Sequence, residues 1–217
     1  MRAFIDNKLV IASNNDGKIL ELQEILKVFD IHILSNKDFN ITEPIEDGKT
    51  FKENAYIKSY NTASKTKLVS LSDDSGISFK ALNNRPGIHS ARYAGKKKNF
   101  TLAMKKLNKE LKFSDDKSCK FTCALSLCWP DGYNITVQGE IYGEFTWPPV
   151  GEKGFGYDPI FKPNGYSMTF GEIDSRIKNE ISHRALATNK LVDFLIKVYD
   201  WIFQHNLNLM YVYADEN

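Results

Sequence analysis

Residues 8–29 narrow the fold more than any other stretch of this sequence. Residues 8–12 (KLVIA) read as a buried strand, and Leu22, Ile25, Leu26 and Phe29 recur at helical spacing, predicting a helix over 16–28. Between them lies a short polar turn, Ser13-Asn14-Asn15-Asp16-Gly17-Lys18. A helix start presents free backbone N–H groups and a partial positive charge, so it suits an anion, above all a phosphate. Lys18 in the first turn opposes the helix dipole, which makes sense if a polyphosphate sits there. The turn does not match a glycine-rich P-loop, since it has one glycine and lacks the Lys-Ser/Thr ending. A plain capped helix start is the alternative.

The same alternation continues. A strand is predicted at 31–34 and a helix at about 51–65, opened by a Thr50/Glu53 capping box. A short strand, 68–71, runs into a turn, Ser72-Asp73-Asp74-Ser75-Gly76, after which 77–79 are extended. Residues 99–111 read as a helix. Phe121, Cys123, Leu125, Leu127 and Trp129 alternate with smaller residues as in a half-buried strand; Pro130-Asp131-Gly132 turns the chain, and 133–141 return as a second strand. A closing helix, about 184–203, places Ala187, Leu191, Leu195, Val198 and Ile202 on one face. The expected class is α/β, a central mixed sheet with flanking helices. The segment after Phe203 reads as a frayed end or an extra edge strand.

With 217 residues, 42% of them hydrophobic, the chain can bury one substantial core or two small lobes around a cleft. Lysine and arginine number 29 against 27 acids, and a net charge of +2 provides no broad basic field for nucleic acid. No apolar run approaches the roughly 18 residues that span a bilayer, and the first residues (MRAFIDNK) lack the apolar core of a signal peptide. Cys119, Cys123 and Cys128 share one predicted strand without CxxC spacing or a neighbouring histidine, which predicts reduced thiols and a cytoplasmic protein.

Asp73-Asp74-Ser75-Gly76 follows a predicted strand end, where α/β proteins place their active sites. Adjacent carboxylates in extended chain point to opposite sides, so one can face a cleft while the other braces the turn. The pair can hold Mg²⁺, activate a water, or both; a solvated turn is the plain alternative. Glu46 and Asp47 add acids before Gly48. Acids beside a phosphate-binding lysine require a divalent cation between them and the phosphates. Lys52 and Lys58 fall on the second helix, and Lys96-Lys97-Lys98 reads as a solvated loop.

Gly154-Phe155-Gly156-Tyr157-Asp158-Pro159 sets two aromatics and a carboxylate in a glycine-flanked turn. A loop aromatic can lie flat on a nucleobase, worth roughly 1–3 kcal/mol, and Asp158 can accept from ring N–H groups. Lys178 and Ser182-His183-Arg184 follow, just ahead of the closing helix; His183 and Arg184 are donors suited to a 6-oxo purine, whereas adenine presents an amino group. A polar mismatch of that kind discriminates by up to about 10⁴-fold.

Six ordered blocks carry a family resemblance: residues 13–18 (SNNDGK), 51–55 (FKENA), 73–76 (DDSG), 86–95 (PGIHSARYAG), 154–161 (GFGYDPIF) and 181–184 (ISHR). Together they make the chain resemble the inosine/xanthosine triphosphate pyrophosphatases. The resemblance implies hydrolysis of deaminated purine triphosphates (ITP, dITP, XTP) between the α and β phosphates with Mg²⁺, giving a monophosphate and pyrophosphate. It implies a homodimer and an elongated two-lobed architecture around a central cleft, with residues 1–217 as one two-lobed domain. By position, Ser13, Asn14, Asn15, Lys18 and Lys58 look like substrate ligands on the triphosphate side. Glu46 and Asp74 look like the metal ligands, with Asp74 also the proton acceptor for the attacking water. Ser75 looks like a further substrate contact, Phe155 like the stacking aromatic, and Asp158 like the base-edge acceptor. Gly156, Tyr157, Lys178, His183 and Arg184 look like the remaining nucleotide contacts. The sequence departs from the family pattern with Lys153 where a glycine is usual, which adds charge at the mouth of the expected base pocket, with Ala185 in place of another glycine, and with a longer carboxyl tail. A pyrophosphatase for dTTP, UTP or modified pyrimidines is the rival enzymatic reading, and a nucleotide sensor without turnover the rival binding module.

Overall fold

The computed structural model describes residues 2, 4 and 7–204, the side chains of 197–204 excepted. Its elements in order are β1 (Lys8–Ile11), α1 (Asp16–Leu26), β2 (His32–Ser35), α2 (Phe51–Thr66), β3 (Ser70–Phe79), β4 (Arg85–Pro86), α3 (Ser90–Tyr93), α4 (Phe100–Glu110), β5 (Ser118–Cys128), β6 (Asn134–Phe145), β7 (Phe161–Pro163), α5 (Ser175–Ile181) and α6 (His183–Gln204). Among the described residues, seven strands form one mixed sheet in the order β2-β1-β3-β5-β6-β7, with β4 pairing β3 off that path. Strand β1 runs parallel to β2 and β3; the remaining pairs are antiparallel. The expected α/β class with a central mixed sheet and flanking helices is the fold observed. The possible edge strand beyond Phe203 falls mostly outside the described residues, as do the side chains of Val198 and Ile202.

Local chemistry explains the well-read elements. Asn15 caps α1 by accepting from the Lys18 N–H, and Thr50 and Glu53 close the expected capping box on α2. In α1, Leu22 and Leu26 are buried, whereas Phe29 lies past the helix end and is exposed. The three cysteines lie in β5, buried and reduced.

One reading is corrected. Residues 72–76 are not a turn: they form the middle of β3, paired throughout with β5 (Asp73 opposite Leu125, Asp74 opposite Ala124, Gly76 opposite Thr122). Strand alternation then sorts the side chains. Ser70, Ser72 and Asp74 face α2, where the two serine hydroxyls donate to the Ser59 and Ala55 carbonyls. Leu71, Asp73 and Ser75 face the side of α1 and α6. Strands β4 and β7 and helix α5, too short for a periodic signal, complete the fold.

Two apolar clusters bracket the middle of the sheet. One gathers Ile77, Phe79, Leu107, Phe121, Phe161 and Phe170; the other gathers Leu9, Ile11, Leu22, Leu71, Leu125, Trp129 and Leu191.

Candidate active site

Two adjoining cavities share Asn15, Lys18, Ser75 and Ala91 and so form one cleft. One half is aromatic, lined by Phe100, Phe121, Phe155, Gly156, Tyr157, Asp158, Lys178, His183 and Arg184. The other is acidic, lined by Ser13, Glu43, Glu46, Lys58, Asp73, Asp74, Arg92 and Lys98. Lys18, Asp74 and Phe155 therefore border a single crevice. Of the expected site residues only Asn14 stays out: its N–H donates to Glu43 (2.8 Å) and its amide to the Ile41 carbonyl (3.1 Å).

In the acidic half, Asp73 is 1% exposed and Asp74 5%. Burial raises a carboxyl pKa and a nearby cation lowers it. For Asp73, burial is outweighed by Arg184 and Lys18, which hold the carboxyl well below its usual range. The Lys18 ammonium lies 2.6 Å from Asp73 Oδ1, Arg184 Nε lies 2.7 Å from Oδ2, and the Cys123 thiol donates to Oδ2 at 3.1 Å. On the opposite face, Lys58 is shared by Glu46 (2.8 Å) and Asp74 (2.9 Å). One ammonium serves two acids, and they divide. Burial works against Glu46 too, but Lys58 outweighs it and keeps that carboxyl below its usual value. Asp74 stays raised by its burial despite Lys58. Its Oδ2 is buried with no hydrogen-bond partner.

That bare oxygen beside a second carboxylate is the feature a hard divalent cation fits. Magnesium is held by one or two carboxylates, the rest of its shell being water and substrate phosphate. Among the described residues no cluster of three or more metal-ligating side chains forms a complete protein cage. The loop carrying the acids is fastened: Glu43 accepts from Asn14, and the buried Asn54 side chain accepts from the Gly48 N–H at 2.9 Å. A β-carbon on Gly48 would lie 2.6 Å from that amide oxygen.

The aromatic half is a closed charge network. Asp158 Oδ2 accepts from the Phe155 N–H (2.8 Å) and from Lys178 (2.5 Å); Lys178 also reaches Glu21 (2.7 Å), and Glu21 pairs with Arg184. Ions thus alternate from Asp158 through Lys178, Glu21, Arg184 and Asp73 to Lys18, linking the two halves. Arg184, 1% exposed, the donor expected from sequence, already commits three of its five N–H groups to Asp73, Glu21 and Ser75. Phe155 lies against Gly17, where a β-carbon would come within 2.7 Å of the ring, and Lys178 stands 5.0 Å from the ring centroid. His183 stacks on Phe121 with centroids 4.7 Å apart; burial first, then Arg184, drives its pKa well down, so the imidazole is neutral. Its Nδ1 is buried without a partner. Lys153 lines neither half: its amine is tied to the Glu172 carbonyl at 2.9 Å.

Sequence reasoning gave no site role to Glu21 or Glu43, quoted Ser90 and Arg92 only within the 86–95 block, and read Lys98 as part of a solvated loop. Glu21 carried one readable signal, an acid on the α1 surface one turn beyond Lys18, but its partners come from α5 and α6, far along the chain.

The Ham1 family model matches residues 9–194. A dITP/XTP pyrophosphatase of Zymomonas mobilis is 44% identical over 188 residues, covering 85% of this chain and 90% of that protein. One from Rhodospirillum centenum is 43% identical over 194 residues, covering 88% and 96%. Among solved structures, a HAM1 protein from Coxiella burnetii matches with a TM-score of 0.80 at 37% identity, covering 88% of this chain and 100% of that one. The Ham1 protein of Staphylococcus aureus matches at 0.78 and 38%, covering 88% and 98%. Sharing its fold, its sequence and most of its length with these proteins, the chain belongs to the Ham1 family.

Proposed function

We propose that this protein hydrolyses deaminated purine nucleoside triphosphates, dITP, ITP and XTP, to the monophosphate and pyrophosphate. The observation that carries the reading is the placement of two buried, unpartnered polar atoms, Asp74 Oδ2 and His183 Nδ1, on residues at opposite ends of one cleft that Lys18 spans. The names of the relatives point the same way.

In this reading the base enters the aromatic half. Phe155 lifts from Gly17 to stack on it, and the purine edge meets neutral His183, the remaining N–H groups of Arg184, Lys178 and Asp158. Gly156 and Tyr157 shape the wall; the Tyr157 hydroxyl is fixed to the Ser90 carbonyl at 2.9 Å. Ser13, Asn15, Lys18, Lys58 and Ser75 bind the phosphates. Asp74, whose carboxyl pKa is raised by burial, accepts the proton of the attacking water. The cations of Lys18 and Lys58 stabilise charge that gathers on the leaving pyrophosphate. Glu46 and Asp74 would hold Mg²⁺, which supplies neutralisation of phosphate oxygens. The same reading takes the working form to be a cytoplasmic homodimer; among the described residues no helix is long and apolar enough to cross a membrane.

The test is pyrophosphate release with Mg²⁺ across dITP, ITP, XTP, GTP, ATP, dTTP and UTP. The 6-oxo purines dITP, ITP and XTP are expected to exceed ATP by about 10³-fold or more in kcat/KM, the scale of a polar mismatch. Preference for dTTP or UTP would replace this reading with the pyrimidine one.

A further inference from the structure

We propose that Arg92, in α3, and Lys98, on the loop between α3 and α4, grip the outer phosphates of the substrate and hold the pyrophosphate product. The inference rests on the reading above. It begins with a mismatch of charge. The inner cations are already engaged, Lys18 on Asp73 and Lys58 on Glu46 and Asp74. Four carboxylates, Glu43, Glu46, Asp73 and Asp74, face those two ammonium groups in the acidic half. The charge that Lys18 and Lys58 lend the phosphates is offset by these acids, so a firmly held pyrophosphate needs further cations.

Arg92 and Lys98 meet the requirement. Both line the acidic half. Both also line a shallow outer depression with Ala91, Gly95 and Lys96, so they stand at the doorway between the inner cavity and the surface. The described structure gives neither side chain a hydrogen bond or an ion pair; Arg92 acts on the site through space, helping to keep the Glu46 carboxyl ionised. The loop from the end of α3 to Lys98 is held in place: the Gly95 N–H donates to the Arg92 carbonyl, the Lys98 N–H to the Gly95 carbonyl and the Asn99 N–H to the Ala94 carbonyl, each at 2.9 Å. Lys98 takes a left-handed backbone (φ 48°) that a lysine seldom adopts. Such a conformation persists where its surroundings over-determine it, and such residues cluster at ligand clamps. The result is two exposed, unpaired cations facing carboxylates across a gap, an arrangement that an intervening polyanion resolves. Arg92 presents a planar fork that matches two phosphate oxygens at once, and Lys98 adds a point charge. Lys97 lines neither cavity and serves as the control.

The test measures binding of inorganic pyrophosphate, with Mg²⁺, and separately of the nucleoside monophosphate, by calorimetry on the wild type, Arg92→Gln, Lys98→Gln, the double variant and Lys97→Gln. Each single variant is expected to weaken pyrophosphate by about tenfold, and the double variant by about a hundredfold, as for lost charge-assisted hydrogen bonds. Monophosphate binding is expected to stay within about twofold, and Lys97→Gln to match the wild type; a twofold window separates a lost contact from a change of general field. Unchanged pyrophosphate binding in the double variant overturns the proposal. So does an equal loss for both products, or a loss in Lys97→Gln as large as in its neighbours. The measurement needs no turnover. Failure to cleave dITP would therefore sink the functional reading, whereas a lost pyrophosphate difference alone would sink only this one.

Discussion

The two halves of the cleft handle buried charge in opposite ways. In the aromatic half the buried ions are matched: Asp158, Lys178, Glu21 and Arg184 pair in sequence, and among the described residues the bare buried side-chain atom there is on a neutral imidazole. In the acidic half one ammonium is divided between two carboxylates, one carboxylate oxygen is unpaired, and two cations at the rim form no ion pair among the described residues. A closed network resists rearrangement, because removing one member strands its partner at a cost of several kcal/mol. It suits recognition, where a fixed pattern of donors must refuse the wrong base. An unfinished network suits chemistry, because it is completed only when anions and a cation arrive.

Three substitutions probe that contrast. The largest expected effect is in the open half. Asp74→Asn keeps the shape but removes the proposed base and should lower kcat by about 10³-fold, while nucleotide affinity stays within about tenfold by calorimetry. Substantial turnover would move the chemistry away from Asp74. Next comes the closed half, where Phe155→Ala should raise KM for dITP by the equivalent of roughly 1–3 kcal/mol and change kcat little. A fall in kcat with KM constant would show that the ring serves the reaction rather than the base.

The smallest effect concerns His183. Its folded pKa is depressed by burial, so the unfolded chain binds the extra proton first. Stability should therefore be complete above the ordinary histidine pKa of about 6.5 and fall as pH drops below it, by about 1 kcal/mol per unit. Asp73, whose carboxyl is also depressed, adds a loss only at far lower pH, below the ordinary carboxylate range. His183→Gln should flatten the decline in melting temperature between about pH 6.5 and 5.5. A wild-type decline preserved in the variant would mean that the buried imidazole is not its source.

Much of this architecture was legible because its signals are local. The turn at 13–18 caps its own helix through Asn15, Thr50 and Glu53 lie three residues apart, and the hairpin of β5 and β6 advertises itself by alternation and a Pro-Asp-Gly turn. The central strand was hidden for the opposite reason. Ser-Asp-Asp-Ser-Gly has poor strand propensity, and it is held extended by ten residues of pairing with β5 and by cations from α1, α2 and α6. Propensity was overridden by partners distant in sequence. Glu21 was hidden in the same way, since an acid on a helix surface announces nothing until Lys178 and Arg184 are brought against it. Asn14 sits among lining residues in the sequence yet turns toward residues 41–43, a pairing that no local signal announces.

The sheet also imposes an odd-and-even rule on the acidic half of the cleft. Positions 73 and 74 are neighbours in the chain, yet one belongs to the Lys18–Arg184 side and the other to the Lys58 side, solely because consecutive strand residues look in opposite directions. Inserting or deleting a single residue upstream in that strand would turn both carboxylates to the opposite faces, Asp73 toward α2 and Asp74 toward α1 and α6. Point substitutions can wound this centre by degrees, but a frame shift of one position in β3 would invert it at a stroke.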